Sequence, residues 1–177
     1  SGVLAGETAR HDGRRPRDGS WRLAGCLGEL AGLHRPWEPL DLRGRGNSEG
    51  ERFYVEEFSD YLADVHTLVS TARSENPGLP IYVLGHSAGG VIATSYVFEH
   101  QDEIAGLICE SFAFDVGLPH LVQLALQGVS HLAPHLHVFS LNNADFSRDA
   151  AAVEAMNNDP LIKDESQPAE TASEMLK

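Results

Sequence analysis

The stretch IYVLGHSAGG, residues 81–90, decides the fold of this chain. Its first four residues form a continuous apolar run, which is typical of a strand buried on both faces of a parallel sheet. The next five residues fit the pattern Gly-x-Ser-x-Gly, and the run from Ala88 to Tyr96 favours a helix. Ser87 therefore falls on a sharp turn between a strand and a helix, and such a turn exposes a serine hydroxyl at the top of the sheet. We predict that Ser87 is a nucleophile.

The backbone at this turn is predicted to assist an attack by Ser87 on a carbonyl group. The N–H of Ala88 lies at the start of the helix, where it would point toward the oxyanion that the attack forms. Two alternatives for Ser87 are a residue that only caps the helix and part of a phosphate-binding loop. The phosphate alternative is weak because the loop carries no lysine and does not match Gly-x4-Gly-Lys-Ser/Thr.

Four further residues complete the predicted elbow. We expect Gly85 and Gly89 to be small because the turning backbone and the start of the helix crowd both positions. Gly90 would let the helix approach the strand closely. His86 is expected to line the site or pack against a neighbouring loop, because side chains next to each other on a sharp turn diverge.

The segments on either side extend this pattern into an alternation of strands and helices. A strand is predicted to end near Leu40, and a glycine-rich loop follows it. Apolar residues spaced three and four apart predict a helix from about Phe58, which Asn76-Pro77-Gly78 would end. The run IAGLICES, residues 104–111, predicts another buried strand. This order indicates an α/β fold with a doubly wound parallel sheet, whose ligands gather at the carboxyl ends of the strands.

Composition limits the functions that this chain can have. With 177 residues, 42% of them hydrophobic, we expect one compact domain. The net charge of -13 argues against nucleic acid as a partner, because phosphate binding requires clustered cations. No apolar segment is long enough to cross a bilayer and no signal peptide is visible, so we expect a cytoplasmic protein without a stable membrane anchor. The sequence predicts no oligomeric state.

The two ends of the chain differ from its middle in composition and in predicted structure. Before Gly46 the chain carries eight of its 13 basic residues, namely Arg10, Arg14, Arg15, Arg17, Arg22, Arg35, Arg43 and Arg45. We expect no regular structure from Ser1 to about Gly19, and a short helix between Trp21 and Leu33. Residues 112–141 are apolar with interspersed histidines and with expected breaks at Pro119, Gly128 and Pro134, and residues 142–177 are acidic. This last third of the chain is predicted to be helical material above the strand ends.

Four segments in order resemble one known family. They are DLRGRGNSEGERFYVEEFSDYLADVHTLV (41–69), LPIYVLGHSAGGVIA (79–93), GLICESFAF (106–114) and DFSRDAAAVEAMNNDPL (145–161). Together they resemble the α/β-hydrolase group that contains monoacylglycerol lipases and bacterial lysophospholipases, also called serine aminopeptidase-like hydrolases. The resemblance runs from about Leu40 to Lys177 and implies a partial α/β-hydrolase fold.

The resemblance also implies a function for the parts of the chain. Ser87 would be the catalytic nucleophile that forms an acyl-enzyme, Ala88 would supply one oxyanion N–H, and the substrates would be small carboxylic esters of lipids. No cofactor is implied. Residues 40–111 would form the core with the nucleophile elbow, residues 112–177 a truncated lid over an acyl-chain pocket, and residues 1–39 an unmatched head.

The chain departs from the family pattern at both ends. A His-Gly turn that supplies the second oxyanion donor is expected before Asp41, and its nearest likeness is GCLGELAG (25–32), with Gly25 and Cys26 in place of His and Gly. The triad acid and histidine are expected after the lid, in the order Ser, Asp or Glu, then His, and we find neither before Lys177. The alternative function is therefore a truncated, non-catalytic fragment. A sheet that lacks the following strand would expose an unpaired apolar edge.

Other reactive side chains are weaker candidates for a functional site. The spacing of His131, His135 and His137 raises the hypothesis of a metal site, although Pro134 would break the helix that aligns the first two. Cys26 and Cys109 are predicted to be buried free thiols that bind no metal. Three aspartates near the end of the chain are candidate acids only by proximity, and we expect them to cap helices and turns: Asp145, Asp149 and Asp159.

Overall fold

The computed structural model describes residues 3–5, 38–112, 117–162 and 164–177. The helix predicted between Trp21 and Leu33, the Gly25–Cys26 pair and the thiol of Cys26 lie outside the described residues. Within the head, residues 3–5 form a strand, so the prediction that residues 1–19 contain no regular structure is wrong at this point. Three residues are too few for hydrophobic periodicity to reveal a strand.

The larger sheet has four strands in the described part of the chain: β1 (Val3–Ala5), β2 (Glu38–Leu40), β3 (Tyr82–His86) and β4 (Gly106–Glu110). Their spatial order is β2-β1-β3-β4. β3 and β4 are parallel, with Val83 opposite Leu107 and His86 opposite Glu110. β1 is antiparallel to both of its neighbours. The predicted parallel pair is therefore present, and β1 makes the sheet mixed.

Two helices cover this sheet, α1 (Phe58–Glu75) and α2 (Ala88–Glu99). The Asp60 carboxylate accepts a 3.4 Å hydrogen bond from the Glu57 N–H at the start of α1, and a carboxylate in this position also complements the helix dipole. At the other end the Asn76 N–H donates to the Ala72 carbonyl oxygen. Gly78 then turns the chain with a φ of 86°. Both predicted helices are confirmed, and the Asn76-Pro77-Gly78 stop lies where the sequence places it.

The hydrophobic core lies between α1, α2 and β3. α1 packs on α2, and α2 packs on β3 and β4. Its residues come from both helices, from β3 and the residue before it, and from the loop that follows β2: Leu42, Val55, Tyr61, Val65, Val69, Ala72, Ile81, Val83, Ile92, Ala93 and Tyr96. This packing fixes the direction in which β3 ends and α2 begins, and so positions the turn at Ser87. None of the helices in the described ranges is long and apolar enough to span a bilayer.

Residues 117–177 form a separate layer, which we call the cap. It contains α3 (His120–Leu132), β5 (His137–Ser140), α4 (Ala150–Asn158), β6 (Ser166–Pro168) and α5 (Ala169–Glu174). Pro119 and Pro134 flank α3 as predicted, but α3 runs through Gly128, so the break expected there is wrong. A glycine inside a helix costs only about 1 kcal/mol relative to alanine, which neighbouring turns offset.

The cap also contains a strand pair that the sequence does not reveal. β5 and β6 are antiparallel, with a register irregularity between His137 and Phe139. β6 has the sequence Ser-Gln-Pro, which has little strand propensity, and its partner lies far away along the chain. The prediction of helical material alone is therefore incomplete for this segment.

β4 is far more exposed than its apolar sequence predicts. Ile108 is 47% exposed, and Cys109 is exposed with its Sγ 3.4 Å from Thr94 Oγ1. Of the described strands only β3 pairs with β4, which therefore forms an edge with an apolar side chain exposed, as expected for a sheet without the next strand. The predictions of a buried strand and a buried Cys109 thiol are wrong, because burial of an apolar run requires neighbours on both faces.

Candidate active site

Ser87 occupies the turn between β3 and α2 in a strained backbone conformation. Its φ is 53° and its ψ is −123°, a region that residues with side chains rarely adopt. Two backbone hydrogen bonds hold it there: its N–H donates to the Glu110 carbonyl oxygen at 3.0 Å, and its own carbonyl oxygen accepts the Gly90 N–H at 2.9 Å. Such strain costs about 1–3 kcal/mol and persists only where the surrounding structure imposes it.

The glycines of the elbow allow strand and helix to touch through their backbones. A Cβ on Gly85 would lie 2.3 Å from the Gly89 carbonyl oxygen and 2.7 Å from the Gly90 Cα. A Cβ on Gly90 would lie 2.9 Å from Cδ2 of Phe112. No alanine fits at Gly85 without a backbone shift, and Phe112 closes the space over Gly90. Phe112 was not predicted as a site residue, because its only sequence signal is its position two residues after β4.

The side chain of Ser87 is not used to cap the helix. Ser87 precedes α2 at the N-cap position, but its hydroxyl makes no capping hydrogen bond. The structure therefore removes the helix-cap alternative. The first turn of α2 contains no acidic residue, so the positive end of the helix dipole is not neutralised there. As the first residue of α2, Ala88 carries an N–H that has no acceptor within the helix.

No general base contacts Ser87 among the residues with described side chains. His86 is half-buried at the end of β3, and in the described ranges no hydrogen bond joins a histidine or a carboxylate to the Ser87 hydroxyl. A polar cleft of about 330 Å³ lies in the cap, between β5 and the segment before β6, and Ser87 does not line it. The described site therefore consists of the Ser87 turn and the N–H of Ala88, which the sequence predicts to be a nucleophile and an oxyanion donor.

Of the three candidate aspartates, Asp149 and Asp159 accept capping hydrogen bonds and Asp145 lies in a turn, in line with the expected caps and turns. Asp145 ends a 3-10 turn, Asn143–Asp145. The Asp149 carboxylate accepts from the Ala151 N–H at 2.9 Å at the start of α4, and Asp159 Oδ1 accepts from the Leu161 N–H at 2.8 Å after α4 ends. None of these carboxylates reaches Ser87.

The cap histidines do not form a metal centre. His131 Nδ1 lies 2.9 Å from the Gln127 carbonyl oxygen. His135 Nδ1 lies 3.0 Å from a Glu51 carboxylate oxygen, and its ring stacks on Tyr54 at 4.4 Å. His137 begins β5. Within the part of the chain that the structure describes, no group of three or more His, Cys, Asp or Glu side chains could hold a metal ion.

The loop of residues 41–57, which we call the bracket loop, joins the sheet to the cap. Arg45 binds the Glu165 carboxylate and donates to Gln167 Oε1 at 2.8 Å. Arg52 donates to the Leu161 carbonyl oxygen and lies 4.7 Å from the centre of the Phe53 ring. The cap is therefore fastened to the same carboxyl edge of the sheet from which Ser87 projects.

Comparison with protein families supports this architecture. The family model described as Hydrolase_4, serine aminopeptidase S33, matches residues 25–177, and so begins upstream of Leu40. A monoacylglycerol lipase of Mycolicibacterium smegmatis is 32% identical over 139 residues, which cover 77% of this chain and 50% of the lipase. Human monoglyceride lipase is 34% identical over 122 residues, 67% of this chain and 40% of that protein. Phospholipase YtpA of Bacillus subtilis is 31% identical over 125 residues, 68% of this chain and 48% of that protein.

Solved structures show the same relationship. A monoacylglycerol lipase of Paleococcus ferrophilus superposes with a TM-score of 0.66 at 20% identity, over 86% of this chain and 60% of that one. A soluble variant of monoglyceride lipase from Saccharomyces cerevisiae, in complex with a substrate analog, gives a TM-score of 0.65 at 20% identity, over 85% and 52%. These likenesses confirm the predicted fold class, a partial α/β-hydrolase fold. The chain spans about half the length of the curated relatives that it matches.

Proposed function

Because this chain belongs to the Hydrolase_4 (serine aminopeptidase S33) family, we propose that it is the elbow-bearing part of a serine hydrolase of lipid esters, with Ser87 as its nucleophile. One observation carries the proposal: Ser87 is held at a φ of 53° by backbone hydrogen bonds while its hydroxyl caps nothing. A strained serine without a structural use for its side chain is typical of a nucleophile elbow. The relatives named above as lipases and a phospholipase support esters of lipids as the substrate class.

The proposed reaction is acyl transfer through Ser87. The Ser87 Oγ attacks the ester carbonyl carbon, the Oγ–C bond forms, and the carbonyl oxygen takes up the negative charge that the Ala88 N–H stabilises. The bond to the alcohol then breaks, and the alcohol leaves with the proton that Ser87 has lost. Water attacks the acylated Ser87 in the second half, releasing the fatty acid and restoring the hydroxyl.

The division of the chain predicted from its sequence extends this proposal. Residues 40–111 would act as the catalytic core and residues 112–177 as a lid above the acyl chain, with residues 1–39 preceding both. We propose no cofactor, a cytoplasmic location, and no nucleic-acid partner, the last on the net charge of -13.

A second function, lipid-ester binding without turnover, is favoured by a separate observation. No described histidine or carboxylate is hydrogen-bonded to the Ser87 hydroxyl. Without a base, a serine hydroxyl attacks orders of magnitude more slowly, even where the oxyanion donors remain.

Active-site labelling distinguishes these functions. The chain is treated with a fluorophosphonate probe and assayed separately with a monoacylglycerol and a p-nitrophenyl ester. Labelling and turnover that disappear in Ser87→Ala, but persist in the control Ser95→Ala on α2, support the hydrolase. Labelling of Ser87 without turnover supports the binding function. Absence of both in a folded chain contradicts the assignment of Ser87 as a nucleophile.

A further inference from the structure

Glu110 is a charged residue at the end of the strand that adjoins the Ser87 turn. It is the last residue of β4 and pairs in register with His86 of β3. Its carbonyl oxygen accepts the Ser87 N–H at 3.0 Å. The backbones of Glu110 and Ser87 are therefore in direct contact at the carboxyl edge of the sheet, where ligands of such sheets bind.

The direction of the Glu110 side chain follows from its neighbour. Cys109 faces α2, since its Sγ lies 3.4 Å from Thr94 Oγ1, and successive residues of a strand point to opposite faces. Glu110 therefore points to the face of the sheet away from α2, together with His86. Glu110 is exposed, so its carboxylate meets solvent and any ligand that arrives at this edge.

No described cation neutralises this carboxylate. The salt bridges of the described chain use other acids: Arg43 binds Asp60 and Asp64, Arg45 binds Glu165, Arg73 binds Glu103 and Lys177 binds Glu174. In the described ranges, no hydrogen bond or ion pair is recorded for the Glu110 side chain. Among the described residues, the Glu110 carboxylate thus has no cationic partner, and its backbone is bonded to that of Ser87.

We propose that Glu110 is a specificity residue of the Ser87 site, favouring esters that carry a positively charged alkylammonium group near the ester bond and disfavouring esters with an anionic group there. The inference rests on the function proposed above, and it names the charge preference of that same site. Its physical basis is Coulomb attraction across the rim of the site, which acts on the approach of the ligand and on its bound position.

The size of the preference follows from the distance and the dielectric constant. For an assumed separation of about 8 Å, one carboxylate and one cation attract strongly enough for about a 2- to 30-fold difference in rate, for effective dielectric constants between about 80 and 20. Salt should suppress the preference, since the screening length falls from about 8 Å at physiological ionic strength to about 3 Å at 1 M.

A matched pair of phosphonates measures this preference at Ser87 itself. Both probes are p-nitrophenyl methylphosphonates; one carries a 2-(trimethylammonio)ethoxy group and the other its uncharged 3,3-dimethylbutoxy isostere. When Ser87 reacts, the Oγ–P bond forms, the bond from phosphorus to p-nitrophenolate breaks, and the serine proton goes to solvent. Nitrophenolate release gives the second-order rate constants, and mass spectrometry confirms Ser87 as the modified residue. The ratio of the two constants cancels the intrinsic reactivity of the hydroxyl, so a slow nucleophile still gives a result.

The variants separate local charge from net charge. In the wild-type chain we expect the cationic probe to react about 2- to 30-fold faster. In Glu110→Gln, the ratio of the two rate constants should fall close to the wild-type ratio in 1 M salt, while the neutral probe still reacts. In Glu110→Lys, the neutral probe should react faster than the cationic one. Glu99→Gln makes the same charge change at the last residue of α2, about 16 Å along the helix from Ala88, and should leave the ratio unchanged.

The failures are distinguishable. A ratio near one in the wild-type chain, or equal ratios in wild type and Glu110→Gln, overturns the role of Glu110 and leaves the nucleophile assignment intact. Failure of both probes to modify Ser87 in the folded chain overturns the proposed function, and the charge preference with it.

Discussion

The N–H of Val55 donates a 2.8 Å hydrogen bond to Oγ1 of Thr171, and both residues are buried. Val55 belongs to the bracket loop and Thr171 to α5, so this bond joins the core of the sheet layer to the end of the cap. A second bond of the same kind runs from the Phe58 N–H to Glu174 Oε2 at 3.0 Å. The first N–H of α1 and a buried N–H of the loop before it are thus hydrogen-bonded by side chains of the cap, so the two layers stabilise each other.

Thr171→Val should destabilise the fold by about 1–3 kcal/mol, because valine has nearly the shape of threonine but leaves the buried Val55 N–H without an acceptor. The free energy of unfolding from urea denaturation measures this loss. Thr71→Val is the control, since the Thr71 hydroxyl donates to a carbonyl on the exposed side of α1. Equal effects of the two substitutions would contradict the role assigned to Thr171.

Arg45→Met should cost about 3–5 kcal/mol, because it leaves the largely buried Glu165 carboxylate without its partner. The side chains of Arg45 and Glu165 are only 15% and 17% exposed. The double variant Arg45→Met/Glu165→Leu should recover much of this loss, since it removes both buried charges. Arg73→Met breaks the more exposed pair with Glu103 and should cost about 1 kcal/mol or less. Thermal and urea unfolding of the four chains test this order, and a double variant no more stable than Arg45→Met would refute it.

Gly85→Ala and Gly128→Ala should change stability in opposite directions. The added Cβ at position 85 meets the Gly89 backbone at 2.3 Å, so we expect a loss of about 3 kcal/mol or more together with loss of fluorophosphonate labelling. At Gly128, inside α3, no atom beyond the adjacent backbone of the helix lies within 4 Å of the added Cβ, and alanine should stabilise the helix by about 0.5–1 kcal/mol. Melting temperatures of the two variants provide the measurement. A neutral Gly85→Ala would mean that strand and helix do not meet at the elbow as described.

Stability at alkaline pH should depend on Tyr96. Burial, with a smaller contribution from Glu103, raises the pKa of Tyr96 from 10.0 to about 12. Because the folded-state pKa is the higher one, this contribution to stability is fully present below pH 10 and is lost as the pH rises from 10 toward 12.

Tyr96→Phe removes the ionisable group, so its free energy of unfolding should decline less steeply between pH 10 and 12 than that of the wild type. At neutral pH the same variant should lose about 1 kcal/mol, because the hydrogen bond between the Tyr96 hydroxyl and His66 Nδ1 disappears. The control is Tyr82→Phe, where the hydroxyl belongs to a half-exposed ring. Parallel alkaline profiles of Tyr96→Phe and wild type would rule out this assignment.

The elbow could be predicted from sequence because its signals are local. The apolar run before Gly85, the serine and the helix pattern after Ala88 lie within one short stretch, and each favours the same turn. The stop at Asn76-Pro77-Gly78 was equally local. The sequence could not reveal the exposure of β4 or the pairing of β5 with β6, since both depend on neighbours that are distant along the chain.

In the candidate site, the sequence could predict only those residues whose role depends on their own backbone conformation. Ser87 and Gly85 belong to this class. Phe112 closes over Gly90 through a tertiary contact, and Arg45 reaches Glu165 across the whole chain, so neither has a signature in the nearby sequence. The histidines of the cap show that a local spacing can also mislead. The spacing of His131, His135 and His137 suggests one shared metal ion, but in the structure His131 contacts the Gln127 carbonyl and His135 contacts Glu51.

The hydrogen bond from Ser87 to Glu110 has a mechanical consequence. β4 is the outermost described strand of its sheet, and its last residue, Glu110, accepts the hydrogen bond from the Ser87 N–H. Any strand that adds to its free edge would stiffen a ladder that ends one hydrogen bond away from the serine. We therefore expect the order of Ser87, the proposed nucleophile, to rise or fall with strand pairing at this edge of the sheet.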